Sequence, residues 1–227
     1  MEQRWHDLLF SHWPIRPEVL RPLIPRPLEL DTWDSEAWLG VVPFRMSGIR
    51  LRGAPALPGI SAFPELNVRT YVSFEGKPGV WFFSLDAASL IAVATARLWF
   101  HLPYFLAKMS LLENGGSIHY LSQRTDSGTP GIRLQAQYSP ASEAFAATSG
   151  TLDHWLTERY CLYAGNTRRT YRGEIHHAPW QLQRARAEFG ANTMTDSLGI
   201  SLPDIAPLLH FAKFQSVVAW APLLLTR

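Results

Sequence analysis

Hydrophobic and polar positions alternate along much of the chain, and this alternation predicts β-strands. In the segment Glu65–Val72, the odd positions all carry hydrogen-bonding side chains. The even side is mainly aliphatic, at Leu66, Val68 and Val72. Because successive side chains of a strand point to opposite faces, we expect the even side to pack outward against helices or a partner. The opposite face, directed toward the interior, would then carry Glu65, Asn67, Arg69 and Tyr71.

Two further segments extend this interpretation. Ile132–Gln137 alternates in the same way, whereas Val80–Leu85 is largely apolar on both faces and is expected deep in the fold. A strand that is apolar on both faces indicates a sheet covered on both sides. Clusters of proline and glycine separate the segments, which favours many short strands joined by turns.

Helical signals are fewer than strand signals. Asp86 precedes an alanine-rich run, so it is expected to be the N-cap of a helix near residues 86–100. A second helix is expected near residues 152–162, where Asp153 could provide the cap. Its apolar stripe would be formed at a spacing of four by Leu152, Leu156 and Tyr160.

Length and composition favour one domain that spans residues 1–227. The chain is 47% hydrophobic and 18% charged, which is enough apolar surface for a folded core. Cys161 is the only cysteine, so the chain can form no intramolecular disulfide, as is typical of a cytoplasmic protein. The first residues lack the pattern of a signal peptide, and the apolar run of residues 87–96 is too short to span a bilayer. We therefore expect a cytoplasmic protein without a membrane partner.

The distribution of charge and the spacing of the histidines argue against a nucleic-acid partner and against a metal site. The net charge is only +2 and the basic residues are spread along the chain, so no nucleic-acid partner is expected. The eight histidines lack the spacing of a metal site, and no glycine-rich phosphate loop is present. The sequence therefore predicts neither a metal nor another cofactor.

Several segments resemble the hallmark stretches of the YqjF-like family, which is itself a domain of unknown function. They span most of the chain and comprise Pro43–Met46, Phe63–Val72, Gly79–Ala87, Leu102–Tyr104, Glu158–Tyr163 and His176–Leu182. A more distant similarity runs to acetoacetate decarboxylase, through Leu20–Asp31 and through Ser84–Asp86. This resemblance implies a mainly β (α+β) fold, an antiparallel β-barrel of the acetoacetate decarboxylase type with a few short helices and an interior site.

The resemblance also implies assembly. Relatives of this fold form oligomers, and the C-terminal segment Val217–Leu225 is too apolar to be left exposed. We therefore expect a homo-oligomer, of which a dimer is the simplest closed form.

The sequence departs from the decarboxylase at its catalytic lysine. In the decarboxylase, a helix carries an Arg followed by Pro-Lys-Lys, and the first of these lysines forms a Schiff base with the keto acid. The matching stretch here contains Arg97 and then Pro103, Tyr104 and Phe105. Tyrosine and phenylalanine cannot form an imine, so no Schiff-base chemistry is expected. Lys108 would approach the same pocket only if this segment were helical.

Glu65 matches a pocket glutamate of the decarboxylase, which makes it the candidate catalytic acid or base. The hypothesis is a pocket that binds or transforms a small carboxylate-bearing molecule, with Asn67, Arg69, Tyr71, Arg97 and Tyr104 as ligand-binding residues. Two other interpretations stay open. Glu65, Arg69 and Arg97 could form a structural ion network. Alternatively, the aromatic content could indicate a non-catalytic module for hydrophobic ligands or for assembly.

Overall fold

Strands make up most of the chain that the computed structural model describes, which covers residues 1–50, 53, 61–90, 93, 102–126, 131–165 and 169–225. The strands in these ranges are β1 (Glu2–Ile15), β2 (Glu29–Leu30), β3 (Ala37–Arg50), β4 (Phe63–Phe74), β5 (Lys77–Ala87), β6 (Tyr104–Asn114), β7 (Ser117–Arg124), β8 (Arg133–Pro140), β9 (Cys161–Gly165), β10 (Thr170–His176), β11 (Gln183–Asn192), β12 (Leu208–Ala219) and β13 (Leu223–Leu224). Two short α-helices lie entirely within these ranges, α1 (Pro17–Leu20) and α2 (Leu152–Thr157), together with 3₁₀ turns at Arg21–Leu23 and Asp196–Leu198. The predicted mainly β class with few short helices is confirmed.

The strands close into two rings that share one wall. Hydrogen bonds run in the order β13-β10-β9-β5-β6-β7-β8-β11-β12-β1-β3-β4-β2, and β5 also pairs with β4. The first half of β5 pairs with β9, and its last residues pair with β6. In the same way, β12 pairs first with β11 and then with β10. We call each of these two positions, where one strand changes its pairing partner along its length, a fork. The sheet divides into two at each fork, so β1, β3 and β4, which lie between the forks, belong to both rings.

The larger ring encloses the main hydrophobic core. Strands β1, β3, β4, β7 and β8 contribute fully buried side chains to one cluster, and partly buried residues of β5, β6 and β11 pack against it. Leu66 and Val68 of β4 lie in this cluster, together with Tyr120 of β7 and Leu134 of β8. The expectation that Leu66 and Val68 pack against helices or a partner is therefore wrong. The sheet curls back, and its own distant strands cover this face.

Among the strands named above, pairing is antiparallel except at the fork of β5. The pairs β5–β6 and β5–β9 are parallel. Both β6 and β9 therefore run in the same direction as β5, one in each ring. A parallel pair requires a crossover connection, whereas the other described pairs follow the antiparallel arrangement predicted from sequence.

A bulge in β1 changes which side chains face each ring. Asp7 has a φ of 54°, and the pairing of β1 with β3 shifts between His6 and Ser11. Aspartate tolerates this left-handed conformation better than most residues. Because the extra residue reverses the alternation, odd positions Gln3 and Trp5 face the same ring as the even positions Leu8 and Phe10.

Both predicted helix N-caps, Asp86 and Asp153, are wrong. Asp86 lies within β5, where its carboxylate accepts hydrogen bonds from Arg124 Nε at 2.8 Å and from Ser122 Oγ at 3.3 Å. Most of the helix expected near residues 86–100 lies outside the described residues. The second helix is confirmed only over Leu152–Thr157. Its N-cap is Thr151, whose backbone is extended and whose side chain accepts a hydrogen bond from the backbone N–H of His154.

The sequence pattern suggested the wrong N-caps because Asp86 and Asp153 both bind side chains that are distant in sequence. Asp153 binds Arg184 and His210 instead of capping the helix, and Tyr160 lies beyond the helix end. Within the described ranges, no helix has the length and apolar character needed to cross a bilayer.

Candidate functional site

The smaller ring encloses a cavity of about 520 Å³. All seven of its strands, β1, β3, β4, β5, β9, β10 and β12, contribute lining residues. Much of the wall is aromatic, and these side chains include Trp5, Phe10, Phe44, Phe63, Phe82 and Trp180. A largely apolar cavity of this size, with a few polar groups, is typical of a small-molecule site.

Strand β4 places a row of polar side chains on this apolar wall. Glu65, Asn67 and Arg69 all line the cavity, while the intervening Leu66 and Val68 enter the core of the larger ring. Both faces of β4 are therefore interior, but only one is polar. Asn67 Oδ1 and Arg69 Nε are buried and make no hydrogen bond within the described residues. Buried polar atoms of this kind are expected to meet water or a ligand.

The surroundings of Glu65 favour the protonated form of its carboxyl group. The Tyr104 hydroxyl donates a hydrogen bond to Glu65 Oε2 at 2.7 Å, and the carboxyl group is buried. Burial raises the pKa of Glu65 to about 7, with a smaller contribution from the negative charge of Asp86, while the hydrogen bond from Tyr104 acts in the opposite direction. A carboxyl group with a pKa near neutrality can both donate and accept a proton.

Tyr104 remains a hydrogen-bond donor across the neutral range. Burial raises its pKa well above the ordinary value, and the Glu65 carboxylate adds to this shift. Among the described residues, Glu65 forms no ion pair, and Arg97 lies outside them. A direct ion pair between Glu65 and Arg69 is therefore not observed, while the part of the predicted network that involves Arg97 lies outside the described residues.

Two guanidinium groups lie at one end of the polar row. Arg69 and Arg159 both line the cavity and flank the ring of Tyr71, with Cζ atoms 5.9 Å and 5.1 Å from its centroid. Arg159 is paired with Asp31 at 2.6 Å. Arg69, in contrast, has no carboxylate partner in the part of the chain that the structure describes, and one nitrogen of each guanidinium group, Arg69 Nε and Arg159 Nη2, is buried without a hydrogen bond there.

Tyr71 lies behind this end of the cavity instead of lining it. Its hydroxyl donates to the backbone oxygen of Leu156 at 2.9 Å and lies 2.7 Å from His12 Nε2. Burial and the charge of Arg69 lower the pKa of His12 well below the ordinary value, so this imidazole is neutral. Tyr71 therefore lies beside Arg69 with its ring and is itself held by Leu156 and His12.

The structure brings together four of the six residues predicted from sequence, namely Glu65, Asn67, Arg69 and Tyr104. Lys108 is exposed on β6, which is a strand and not the helix that its approach to the pocket required. No lysine is among the described lining residues.

Sequence analysis missed Arg159 and Trp180 as lining residues, although both lie in segments that carry the family resemblance. Their positions depend on how β9 and β10 close the smaller ring, which alternation within one segment does not reveal. Among the described residues, no group of three or more His, Cys, Asp or Glu side chains could hold a metal ion.

Comparison with known proteins finds relatives that match this chain over most of their own length. Residues 2–215 match the model of DUF2071, a family described as an uncharacterized conserved protein. The chain is 50% identical over 220 residues to the uncharacterized protein YqjF of Bacillus subtilis (strain 168), a match that covers 97% of this chain and 90% of YqjF.

Solved structures with the same fold include two enzymes. The enduracididine biosynthesis enzyme MppR complexed with pyruvate is 12% identical with a TM-score of 0.69, over 99% of this chain and 90% of MppR. The acetoacetate decarboxylase from Legionella pneumophila subsp. pneumophila str. Philadelphia 1 is 12% identical with a TM-score of 0.65, over 100% of this chain and 88% of the decarboxylase. At this identity the likeness shows the fold alone, and the predicted acetoacetate decarboxylase-like fold is confirmed.

Proposed function

This chain belongs to the DUF2071 family of uncharacterized conserved proteins, and we propose that its interior cavity binds a small carboxylate-bearing molecule without a Schiff base. The observation that carries the proposal is the row of Glu65, Asn67 and Arg69 on an otherwise apolar wall. A polar row with unsatisfied buried atoms is costly unless it meets a ligand or water.

Arg69 is the proposed partner of the ligand carboxylate. A guanidinium group can bind a carboxylate through two parallel hydrogen bonds, which gives both charge neutralisation and orientation. Its Nε is buried without a partner, and the neighbouring cation Arg159 is already paired with Asp31. The fold neighbour MppR was solved with pyruvate, a small carboxylate, which is consistent with this ligand class.

Glu65 is the proposed acid or base if the bound molecule is also transformed. With a pKa of about 7, its carboxyl group exists in both protonation states near neutrality. Tyr104 would fix its orientation through the hydrogen bond to Oε2. Since no described lysine lines the cavity, we expect borohydride reduction with acetoacetate or pyruvate to leave the protein mass unchanged. A stable adduct, above all one on Lys108, would contradict the proposal.

The aromatic wall favours a second candidate, a module that stores an uncharged hydrophobic ligand without catalysis. Trp5, Phe44 and Trp180 form a continuous surface, with Trp5 in ring contact with both of the others. This candidate assigns no role to the buried atoms of Asn67 and Arg69. It predicts that removal of the Arg69 charge leaves ligand binding intact.

Thermal melting with a panel of small carboxylates and their uncharged amides tests the proposal. We expect carboxylates to raise the melting temperature of the wild type and their amides to have little effect. The Arg69→Met variant should lose this response, while Arg133→Met, which removes an exposed arginine of β8, should keep it. Equal stabilisation by acids and amides, or an unchanged response in Arg69→Met, would favour the hydrophobic module instead.

A further inference from the structure

The cavity is elongated along the strands. Strand pairing places Arg69 beside Gly40, which is paired with His12, whereas Phe63 lies beside Met46, which is paired with Trp5. The lining of β1 runs from Phe10, near the level of Arg69, to Gln3. Seven residues of extended chain span roughly 20 Å.

The two ends of this length both carry cations, but they differ in exposure and in how those cations are bound. Arg69 and Arg159 lie at one end, together with buried Phe10. At the other end, the lining includes Arg50 and Trp220, which are both exposed. The guanidinium of Arg50 is already bound to Glu2 by two hydrogen bonds of 2.6 and 2.8 Å, and the ammonium group of Met1, which also lines this end, donates to the backbone oxygen of Ala219 at 2.6 Å. A ligand carboxylate is therefore favoured at the Arg69 end.

Between these ends, the wall is apolar on the strands that flank the polar row. Phe44 and Met46 line the cavity from β3, and Val80, Phe82 and Leu85 line it from β5. A cavity of about 520 Å³ lies in the range that encloses drug-sized molecules. An acid as small as pyruvate would leave most of this apolar surface in contact with water, which forfeits the free energy available from burying it.

We propose that the ligand is an amphipathic monocarboxylic acid with an elongated, unbranched apolar body, of the medium-chain fatty acid type. Its carboxylate binds Arg69, and its body extends along the aromatic wall toward Trp220. This inference rests on the proposed function and adds the size and polarity of the ligand. Glu65 and Asn67 then face the first part of the chain, where an oxygen substituent on that chain could accept or donate a hydrogen bond.

Calorimetric titration with pyruvate, hexanoate, octanoate and decanoate, all below their micelle concentrations, tests the length dependence. Each added methylene should lower Kd about fourfold while it is buried, from a transfer free energy of about 0.8 kcal/mol. Decanol, which has the same body but no charge, should bind at least about tenfold more weakly than decanoate. Arg69→Met should remove this difference, and Arg133→Met should retain it.

A substitution at the outer end of the cavity tests the effect of ligand length independently of the ligand charge. Ala219→Trp adds bulk beside Trp220 without altering the polar row, so it should weaken decanoate binding and leave hexanoate binding nearly unchanged. Ala141→Trp, at an exposed position outside the cavity lining, is the matched control. Circular dichroism spectra identical to the wild type would establish that both variants are folded.

The possible outcomes distinguish this inference from the proposed function. If pyruvate binds through Arg69 as tightly as decanoate, the elongated ligand is refuted and the carboxylate site stands. If decanol matches decanoate and Arg69→Met changes neither, both proposals fail. If decanoate does not bind at all, the inference fails, and the response to the smaller acids decides the proposed function separately.

Discussion

Glu65 carries its proton in the folded chain over a pH range in which an unfolded chain has lost it. Its pKa is near 4.5 when unfolded and about 7 in the fold, chiefly because the carboxyl group is buried. Since the folded state binds the proton more tightly, the stability from this group is fully present below about pH 4.5 and is lost as pH rises through about 7.

Glu65→Gln should therefore become relatively more stable as pH rises. The amide resembles the neutral acid and can still accept the hydrogen bond from Tyr104. Between about pH 5 and about pH 8, the free energy of unfolding of the variant should gain about 2–3 kcal/mol on that of the wild type. Denaturant titrations at the two pH values measure this difference. Glu188→Gln, on the exposed face of β11, should show no such trend, and a pH-independent difference for Glu65→Gln would argue against a raised pKa.

A second buried charge, the pair of Asp86 and Arg124, is structural. Both side chains are fully buried, Arg124 also donates to Ser84, and its guanidinium lies 4.2 Å from the centroid of the Phe105 ring. Burial raises the pKa of Asp86 to about 6 even though Arg124 acts in the opposite direction. Each charge is therefore stable in this buried position mainly because it has an oppositely charged partner.

Arg124→Met should destabilise the protein by about 3–5 kcal/mol, because it leaves the Asp86 carboxylate buried without its cation. The free energy of unfolding from denaturant titration measures the loss. Arg133→Met should change it by less than about 0.5 kcal/mol, as is usual for an exposed site. If the double variant Asp86→Leu with Arg124→Met is no more stable than Arg124→Met alone, the stranded carboxylate is not the cause.

These two acids show what a sequence can indicate about a single residue. Glu65 was predicted from alternation and resemblance, and its side chain lines the cavity. Asp86 was misassigned as a helix cap because an aspartate before an alanine-rich run is a typical N-cap pattern. Its actual partner lies 38 residues away in sequence on β7, and no local pattern encodes that contact.

At the scale of elements, the fork of β5 depends on a glycine. A Cβ atom built on Gly79 would lie 2.3 Å from the backbone oxygen of Cys161 and 2.7 Å from Tyr163 Cε2. The obstruction includes backbone of β9, which cannot move aside as a side chain would. Gly79 therefore permits the close approach of β5 and β9 that closes the smaller ring.

Gly79→Ala should cost at least about 1–3 kcal/mol, the range for overpacking a buried site. Gly173→Ala on β10 is the matched control, since its added Cβ would meet its nearest neighbour only at 3.9 Å. The melting temperature and the free energy of unfolding of both variants measure the effect. A Gly79→Ala protein as stable as Gly173→Ala would show that the two strands separate at little cost.

The strands themselves were predictable, but their closure was not. Period-two alternation in Glu65–Val72 identified β4 and separated its polar side from its aliphatic side. The bulge at Asp7 reverses that periodicity in β1, and the forks of β5 and β12 depend on pairings between distant segments. The sequence pattern therefore indicated that one face of β4 is polar, but not that both faces are interior.

At the scale of the molecule, two closed rings give two different interiors from one sheet. The larger ring is filled by its own side chains and provides the hydrophobic core, while the smaller ring retains a cavity. The shared wall of β1, β3 and β4 thus contributes to stability on one face and to the candidate site on the other. This division allows the cavity face to carry polar residues whose burial would destabilise a conventional core.

The C-terminal segment presents apolar side chains on the outside of this structure. Trp220, Leu223 and Leu224 are 48%, 59% and 47% exposed. Leu223 and Leu224 form β13, which ends the order of strands and, among the described residues, pairs only with β10. An apolar end strand is a favourable surface for a second copy of the chain, and a two-fold dimer is the simplest closed arrangement.

We therefore predict a homodimer in which the β13 segments meet. Light scattering at micromolar concentration should return twice the chain mass of 25.6 kDa. Leu223→Lys should shift the mass toward the monomer, because a charge at the contact loses the burial of an apolar side chain and must be desolvated. Leu112→Lys removes a comparably exposed leucine from β6, far along the sheet order, and should leave the dimer intact. A monomeric wild type would refute the assembly. If Leu112→Lys dissociates the dimer and Leu223→Lys does not, the interface lies on the outer face of β6 instead, because only a contact that buries Leu112 is sensitive to a charge at that position.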